Sequence, residues 1–141
     1  MRKSDIQSKI DVLVDNIEKL SYLQKKDFKE FTSDFRNIDS ALHRLQTSIQ
    51  VLLDMGNYII SSLGLKTPDT NADVFKILCR EGYLRQDKMN IYIQIIQFRN
   101  RIVHIYNHID TETLYDILVN ELHDIKEIFQ DMLEIIENDK T

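Results

Sequence analysis

Three glycines and one proline are the whole supply of these two residues in a chain of 141. Strands joined by tight turns need Gly, Asn-Gly or Pro-Gly punctuation every ~8–12 residues, and almost none is present. The shortage excludes an all-β domain and argues against an α/β sheet. What remains is an all-α chain. Its length suits a single domain over residues 1–141, large enough to bury roughly two-thirds of its unfolded surface.

Apolar residues recur at helical spacing. Ser4 and Gln7 form a capping-box pattern, followed by Ile6, Ile10, Leu13, Ile17 and Leu20, so a first helix is expected to end near Lys25 and Lys26. Ser33 or Asp34 caps a second, with a stripe of Ile38, Leu42, Leu45, Ile49, Leu52, Ile59 and Leu63 and with Gly64 as its stop before Pro68. Gly56 inside that helix costs up to ~1 kcal/mol against Ala. It marks either a close approach of two helices or a tolerated glycine. Residues 65–71 read as a loop, residues 72–80 as a short helix closed by Gly82, and residues 87–108 as a fourth long helix. A fifth segment starts at Asp110 or Thr111 and carries Leu114, Leu118, Leu122, Ile125, Phe129, Met132 and Ile136. The expected architecture is an antiparallel four-helix bundle with one additional short helix.

Cys79 stands alone and cannot form an intramolecular disulfide, which fits a reducing compartment. Asp5, Lys9 and Asp11 interrupt any signal-peptide core, and no apolar run approaches ~18 residues. A soluble, cytoplasmic protein without a membrane segment is the expectation.

The fourth helix departs from the one-stripe rule. At ~100° per residue, its apolar side chains from Met89 to Ile109 sweep an arc of roughly 240°, leaving a wedge for Asn90, Gln94, Gln97, Arg101, His104 and His108. Two readings fit: a helix packed on one side by a second copy of the chain in a two-fold dimer, or a central helix buried by its own domain. Arg99 falls inside the apolar arc, where a guanidinium needs a partner. That partner is either a carboxylate on another helix or an anionic ligand whose oxygens match the guanidinium fork. His104 lies ~140° around the helix from Arg99, beside Asn100. The two can share one phosphate only if the helix bends or a second subunit brings them together.

Arg99-Asn100-Arg101-Ile102-Val103-His104-Ile105-Tyr106 resembles the Arg-x4-His-x-Tyr signature of the HEPN superfamily, specifically the HepT-like toxins. Leu45-Gln46, Leu53-Asp54-Met55-Gly56-Asn57, the stretch from Gly64 to Pro68, and Phe98 before Arg99 agree with that context over roughly residues 36–135. The resemblance implies a dimeric, HEPN-like helical bundle. It also implies a metal-independent ribonuclease that is the toxin of a toxin–antitoxin pair and needs no cofactor. Its substrate would be RNA, with tRNA one candidate, and its partner a minimal nucleotidyltransferase antitoxin. A homodimer or a higher even-numbered oligomer would line one cleft with two Arg/His sets.

The residue types suit that chemistry. An RNA 2′-hydroxyl attacks its own phosphate to give a 2′,3′-cyclic phosphate if one group moves protons and another stabilises the phosphorane. An imidazole, titrating at about 6.5, fits the first role at His104. A guanidinium fits the second at Arg99. Asn100 shares a face with His104 at i,i+4 and could orient it or the phosphate. Tyr106 resembles the tyrosine that the antitoxin modifies with AMP, which would add charge and bulk in the cleft.

The competing readings are a non-catalytic HEPN subunit that binds substrate for, or regulates, a nucleotidyltransferase, and a helical interaction module in which Arg99 is simply ion-paired. His104 and His108 share a face, but two histidines are a poor metal set, and the stretch between them has no Glu; no metal site is expected. His43 and His123 read as surface residues, Cys79 as buried, and Tyr58 and Tyr92 as packing residues. Lys25, Lys26 and Lys29 suit either RNA or the negative end of a helix.

The formal net charge of −5 argues against indiscriminate coating of nucleic acid. The charge is uneven along the chain. Residues 1–75 carry 10 basic and 11 acidic side chains, residues 76–109 carry 6 and 2, and residues 110–141 carry 2 and 10. The positive stretch is the one that holds Arg99 and His104.

Overall fold

The computed structural model describes residues 1–104 and 110–139, without side chains for residues 102–104. Helices α1 (Gln7–Gln24), α3 (Phe35–Ser62), α5 (Met89–His104) and α6 (Thr111–Asn138) are long, and α2 (Phe28–Thr32) and α4 (Asn71–Arg80) are short. Among the described residues there is no strand. The all-α expectation holds, with one short helix more than the sequence pattern predicts. Five residues are too few to show a period, so α2 escapes a periodicity search. Its start is nevertheless coded locally: Asp27 and Glu30 form a reciprocal capping box. Its Phe31 is fully buried against the bundle.

Helix α3 is the central element and packs against α1, α2, α4, α5 and α6. Direction follows from the paired residues. Lys9 meets Asp54 and Asp15 meets Arg44, so α1 runs antiparallel to α3. Lys3 meets Glu137 and Gln24 donates to the Val119 carbonyl, so α1 also runs antiparallel to α6. The stripes read from the sequence point inward. Leu13, Leu20, Leu45, Leu52, Ile59, Leu118, Leu122 and Met132 are completely buried in one apolar core. Ile17, Ile38, Leu42 and Leu63 pack at its edge. Asn16 is a buried polar residue in this seam, donating to the Thr47 hydroxyl at 2.8 Å and accepting from Arg44 at 3.1 Å.

Two helix ends use glycine in the left-handed region, where other residues are strained. Gly64 has φ of 67° and Gly82 has φ of 83°. In each case the next residue's N–H closes a six-residue turn, Leu65 onto Ile60 and Tyr83 onto Leu78, which is the Schellman arrangement. Helix starts are also capped by side chains: Asp34 for α3, Thr70 with Asp73 for α4, and Asp110 for α6. The Ser4/Gln7 box is absent. Residues Lys3–Ile6 wind as a 3-10 turn with no side-chain cap, and α1 begins after it. Tyr58 on α3 takes over this end: its hydroxyl accepts from the Arg2 N–H at 2.9 Å and lies 2.9 Å from the Arg2 carbonyl and the Asp5 carboxylate.

Gly56 marks a close approach. A Cβ placed there would overlap Val74 Cγ1 of α4 and press on Met132 Cε of α6 at 3.4 Å. The bare backbone of α3 therefore sets the spacing of three helices. No helix among the described residues is long and apolar enough to cross a membrane.

Candidate functional site

The site is assembled on α5, presented by α3. Tyr92, Ile95, Ile96 and Phe98 are buried within the domain, and Met89 and Ile91 pack against its core. Most of the described part of the apolar arc is therefore filled by the chain's own helices, as the central-helix reading requires. Ile93 is half-covered, and Asn90, Gln94, Gln97, Asn100 and Arg101 are exposed on the opposite side. Tyr92 is a packing residue, as expected: it stacks on Phe75 with ring centroids 5.2 Å apart. Burial pushes its phenol up to about 12.

Arg99 sits at helical register with Tyr92, Ile95 and Ile96, yet it is only half-buried, so its head reaches the rim of the core. There its Nη2 donates to Oε1 of Gln50 on α3 at 3.0 Å. The sequence offered a carboxylate or an anion as partner. The partner is a neutral amide, which fixes the side chain without cancelling its charge. Gln50 is held in turn: its Nε2 donates to Asp54 Oδ1 at 3.0 Å, and Asp54 Oδ2 accepts from Lys9 Nζ at 2.6 Å. Lys9, Asp54, Gln50 and Arg99 thus form a polar chain from α1 across α3 to α5.

Asn100 is exposed beside Arg99. His104 is the last described residue of α5, and its side chain lies outside the described residues. Tyr106 and His108, with the expected end of the fourth helix, also lie outside them. Sequence reasoning missed Gln50, Lys9 and the role of Asp54. The available signal was Gln50 and Asp54 at i,i+4 on the polar flank of the α3 stripe, beside an arginine that needed an acceptor.

The other singled-out residues take plain roles. His43 is exposed, and His123 is an exposed partner of Glu127 at 3.2 Å. Cys79 is buried, its thiol pushed up by desolvation and close to the Arg85 carbonyl at 3.6 Å. Lys26 lies over the Tyr22 ring at 5.1 Å, at the end of α1. Among the described residues no group of three His, Cys, Asp or Glu is arranged to hold a metal ion. A cavity of about 470 Å³ opens elsewhere, between Tyr83, Arg85 and the carboxylates of Asp131 and Glu134. It shares no residue with the Arg99 chain, and its acidic wall does not suit a phosphate.

Such a bundle, with an arginine-bearing helix braced by a central one, is an all-α domain that carries a fixed cation at the rim of its core. The family model described as "Ribonuclease HepT-like" matches residues 13–132, and the chain belongs to this family. Solved structures agree on the fold. A tri-AMPylated Shewanella oneidensis HEPN toxin in complex with MNT antitoxin superposes with a TM-score of 0.80 at 22% identity, covering 92% of this chain and 96% of that one. A toxin–antitoxin MntA-HpeT complex carrying a tyrosine-to-alanine mutation gives 0.80 at 21% identity, covering 92% and 98%. YutE, a cytosolic protein of unknown function from Bacillus subtilis, gives 0.74 at 18% identity, covering 96% and 87%. No curated protein matches the sequence.

Proposed function

We propose that this HepT-like protein is a metal-independent endoribonuclease, acting as the toxin of a toxin–antitoxin pair. The observation that carries the reading is Arg99: a cation fixed by a neutral amide at the rim of the core, inside an Arg-x4-His-x-Tyr motif of a HepT-like chain. In this scheme the RNA 2′-oxygen bonds to phosphorus as His104 takes its proton, the bond from phosphorus to the 5′-oxygen breaks as that oxygen takes a proton from water, and a 2′,3′-cyclic phosphate and a 5′-hydroxyl are left. Arg99 faces the charge that grows on the non-bridging oxygens. Asn100 orients the phosphate or the imidazole. Two copies of the chain, paired through α5, line one cleft with both Arg/His sets. Half-covered Ile93 supports that pairing, and the excess of basic over acidic residues between 76 and 109 suits a cleft that takes a phosphate.

The partner that silences the protein would be a minimal nucleotidyltransferase that transfers AMP to Tyr106. The AMPylated toxin bound to MNT antitoxin among the structural neighbours supports this reading.

The test is incubation of the purified protein with tRNA and bulk RNA in EDTA. Cleavage that disappears in Arg99→Ala and in His104→Ala, with the oligomer intact by light scattering, is the expected result. Unchanged cleavage by either variant would sink the catalytic assignment. No cleavage by the unmodified protein would return it to a binding or regulatory subunit. Tyr106→Phe is expected to cleave RNA normally and to resist silencing by the nucleotidyltransferase. Normal silencing of that variant would remove Tyr106 from the scheme.

A further inference from the structure

We infer that Gln50 is a positioning residue for Arg99, and that the Lys9–Asp54 pair keeps it in that role. The inference rests on the ribonuclease reading for what Arg99 does, and on the geometry for how Arg99 is held.

A glutamine amide is ambiguous: either end could face the arginine, and only the oxygen can accept from it. Asp54 removes the ambiguity. An ionised carboxylate only accepts, so Gln50 must turn its Nε2 toward Asp54, at 3.0 Å, and its Oε1 toward Arg99, at 3.0 Å. The spacing of Gln50 and Asp54 at i,i+4 places both on one face of α3 for this exchange.

Asp54 is also the competitor in the arrangement. It stands one turn from Gln50 and is the carboxylate that an arginine would ordinarily seek. Lys9 meets its other oxygen at 2.6 Å, which offsets its charge and occupies the lone pairs that face α1. The result is a cation located by hydrogen bonding and left with its charge. A carboxylate in the place of Gln50 would hold Arg99 at least as firmly but would cancel that charge and occupy the fork. The choice of an amide over an acid is therefore what a phosphate-binding arginine requires and what a purely structural one does not.

Two substitutions separate charge from position. Gln50→Glu keeps a partner for Arg99 but adds a negative charge. Gln50→Ala keeps the charge of Arg99 but removes the partner. Gln50 is exposed on α3, so both variants are expected to fold. The probe is a fluorescein-labelled single-stranded RNA, its affinity read by anisotropy from 50 to 250 mM salt, with single-turnover cleavage of the same RNA in EDTA.

Gln50→Glu should reproduce the binding defect of Arg99→Ala and flatten the slope of log affinity against log salt by about 0.7, the contribution of one phosphate contact on a single strand. It should also slow cleavage ~100-fold, the order expected for loss of one charge-stabilising group. Gln50→Ala should keep the salt slope and slow cleavage about tenfold, since the charge remains but is misplaced. In an Arg99→Ala background Gln50→Ala should not change binding further. A Gln50→Glu protein that binds RNA with the unmodified slope, or a Gln50→Ala effect that persists without Arg99, would overturn the inference. Absence of cleavage in every protein would overturn the ribonuclease reading instead, and the binding series would still decide the role of Gln50.

Discussion

Tyr92 shows how much a single buried side chain can say. It is fully buried and stacked on Phe75, and its hydroxyl has no hydrogen-bond partner among the described residues. An unmet buried hydroxyl costs free energy that its removal recovers, so Tyr92→Phe is expected to raise stability by about 1 kcal/mol in urea denaturation. A loss of stability in that variant would mean the hydroxyl has a partner. The same group makes a pH signature. Burial raises its pKa from 10.0 to about 12, so between those values the folded state holds a proton that the unfolded state has released. Stability from this group is fully present below pH 10 and is lost as pH rises through 12. The unmodified protein should therefore lose more stability than Tyr92→Phe between pH 9 and pH 11.5. Equal losses would show that the phenol ionises as readily in the folded chain as in the unfolded one. Arg99 is the other residue whose environment matters more than its identity. Its place in the apolar arc was legible from the sequence, but its amide partner was not, because the contact joins positions 49 apart and no local pattern encodes it.

At the scale of helices, Gly56 carries the clearest prediction. Alanine is the better helix former by up to ~1 kcal/mol. Against that gain, its methyl group would overlap Val74, whose β-branched side chain is stiff and close to its own backbone. Overpacking of this kind costs about 1–3 kcal/mol, so Gly56→Ala should lower the urea midpoint on balance, and Gly56→Val should lower it further. A stabilised Gly56→Ala would mean that α4 can step back from α3 without loss. Most element positions were legible because long stripes repeat: the residues named on α6, and Leu45, Ile49, Leu52 and Ile59 on α3, are buried as expected. Stops were legible where glycine supplied the required conformation. Failures came where a tertiary contact outbid a local signal. Ser4 and Gln7 had the right letters for a cap, but Tyr58 holds that segment from 53 positions away at Asp5. The apolar sweep of α5 fits either a partner chain or burial in its own domain, and the domain itself takes up most of its described part.

For the molecule as a whole, the charge divides rather than averages. Helix α6 lies in the acidic stretch and is tied to the start of α5 by Lys88 and Glu127 at 2.7 Å. Residues 110–141 hold 10 acidic and 2 basic side chains, while the stretch carrying Arg99 is basic. This arrangement predicts a particular response to surface charge. Replacing Glu134 and Glu137 with glutamine should speed RNA association at low salt while leaving dissociation nearly unchanged, read by stopped-flow fluorescence. A change confined to dissociation would place α6 in the bound interface.

The acidic helix then does more than lower the total. Repulsion from it reaches about 8 Å into solution at physiological salt, which closes one flank of the protein to a polyanion before any contact forms. On the ribonuclease reading proposed above, a strand of RNA diffusing toward the molecule would be turned away there and admitted beside α5. The fold would thereby select a direction of arrival, and the search for the arginine would begin on the side where it can succeed.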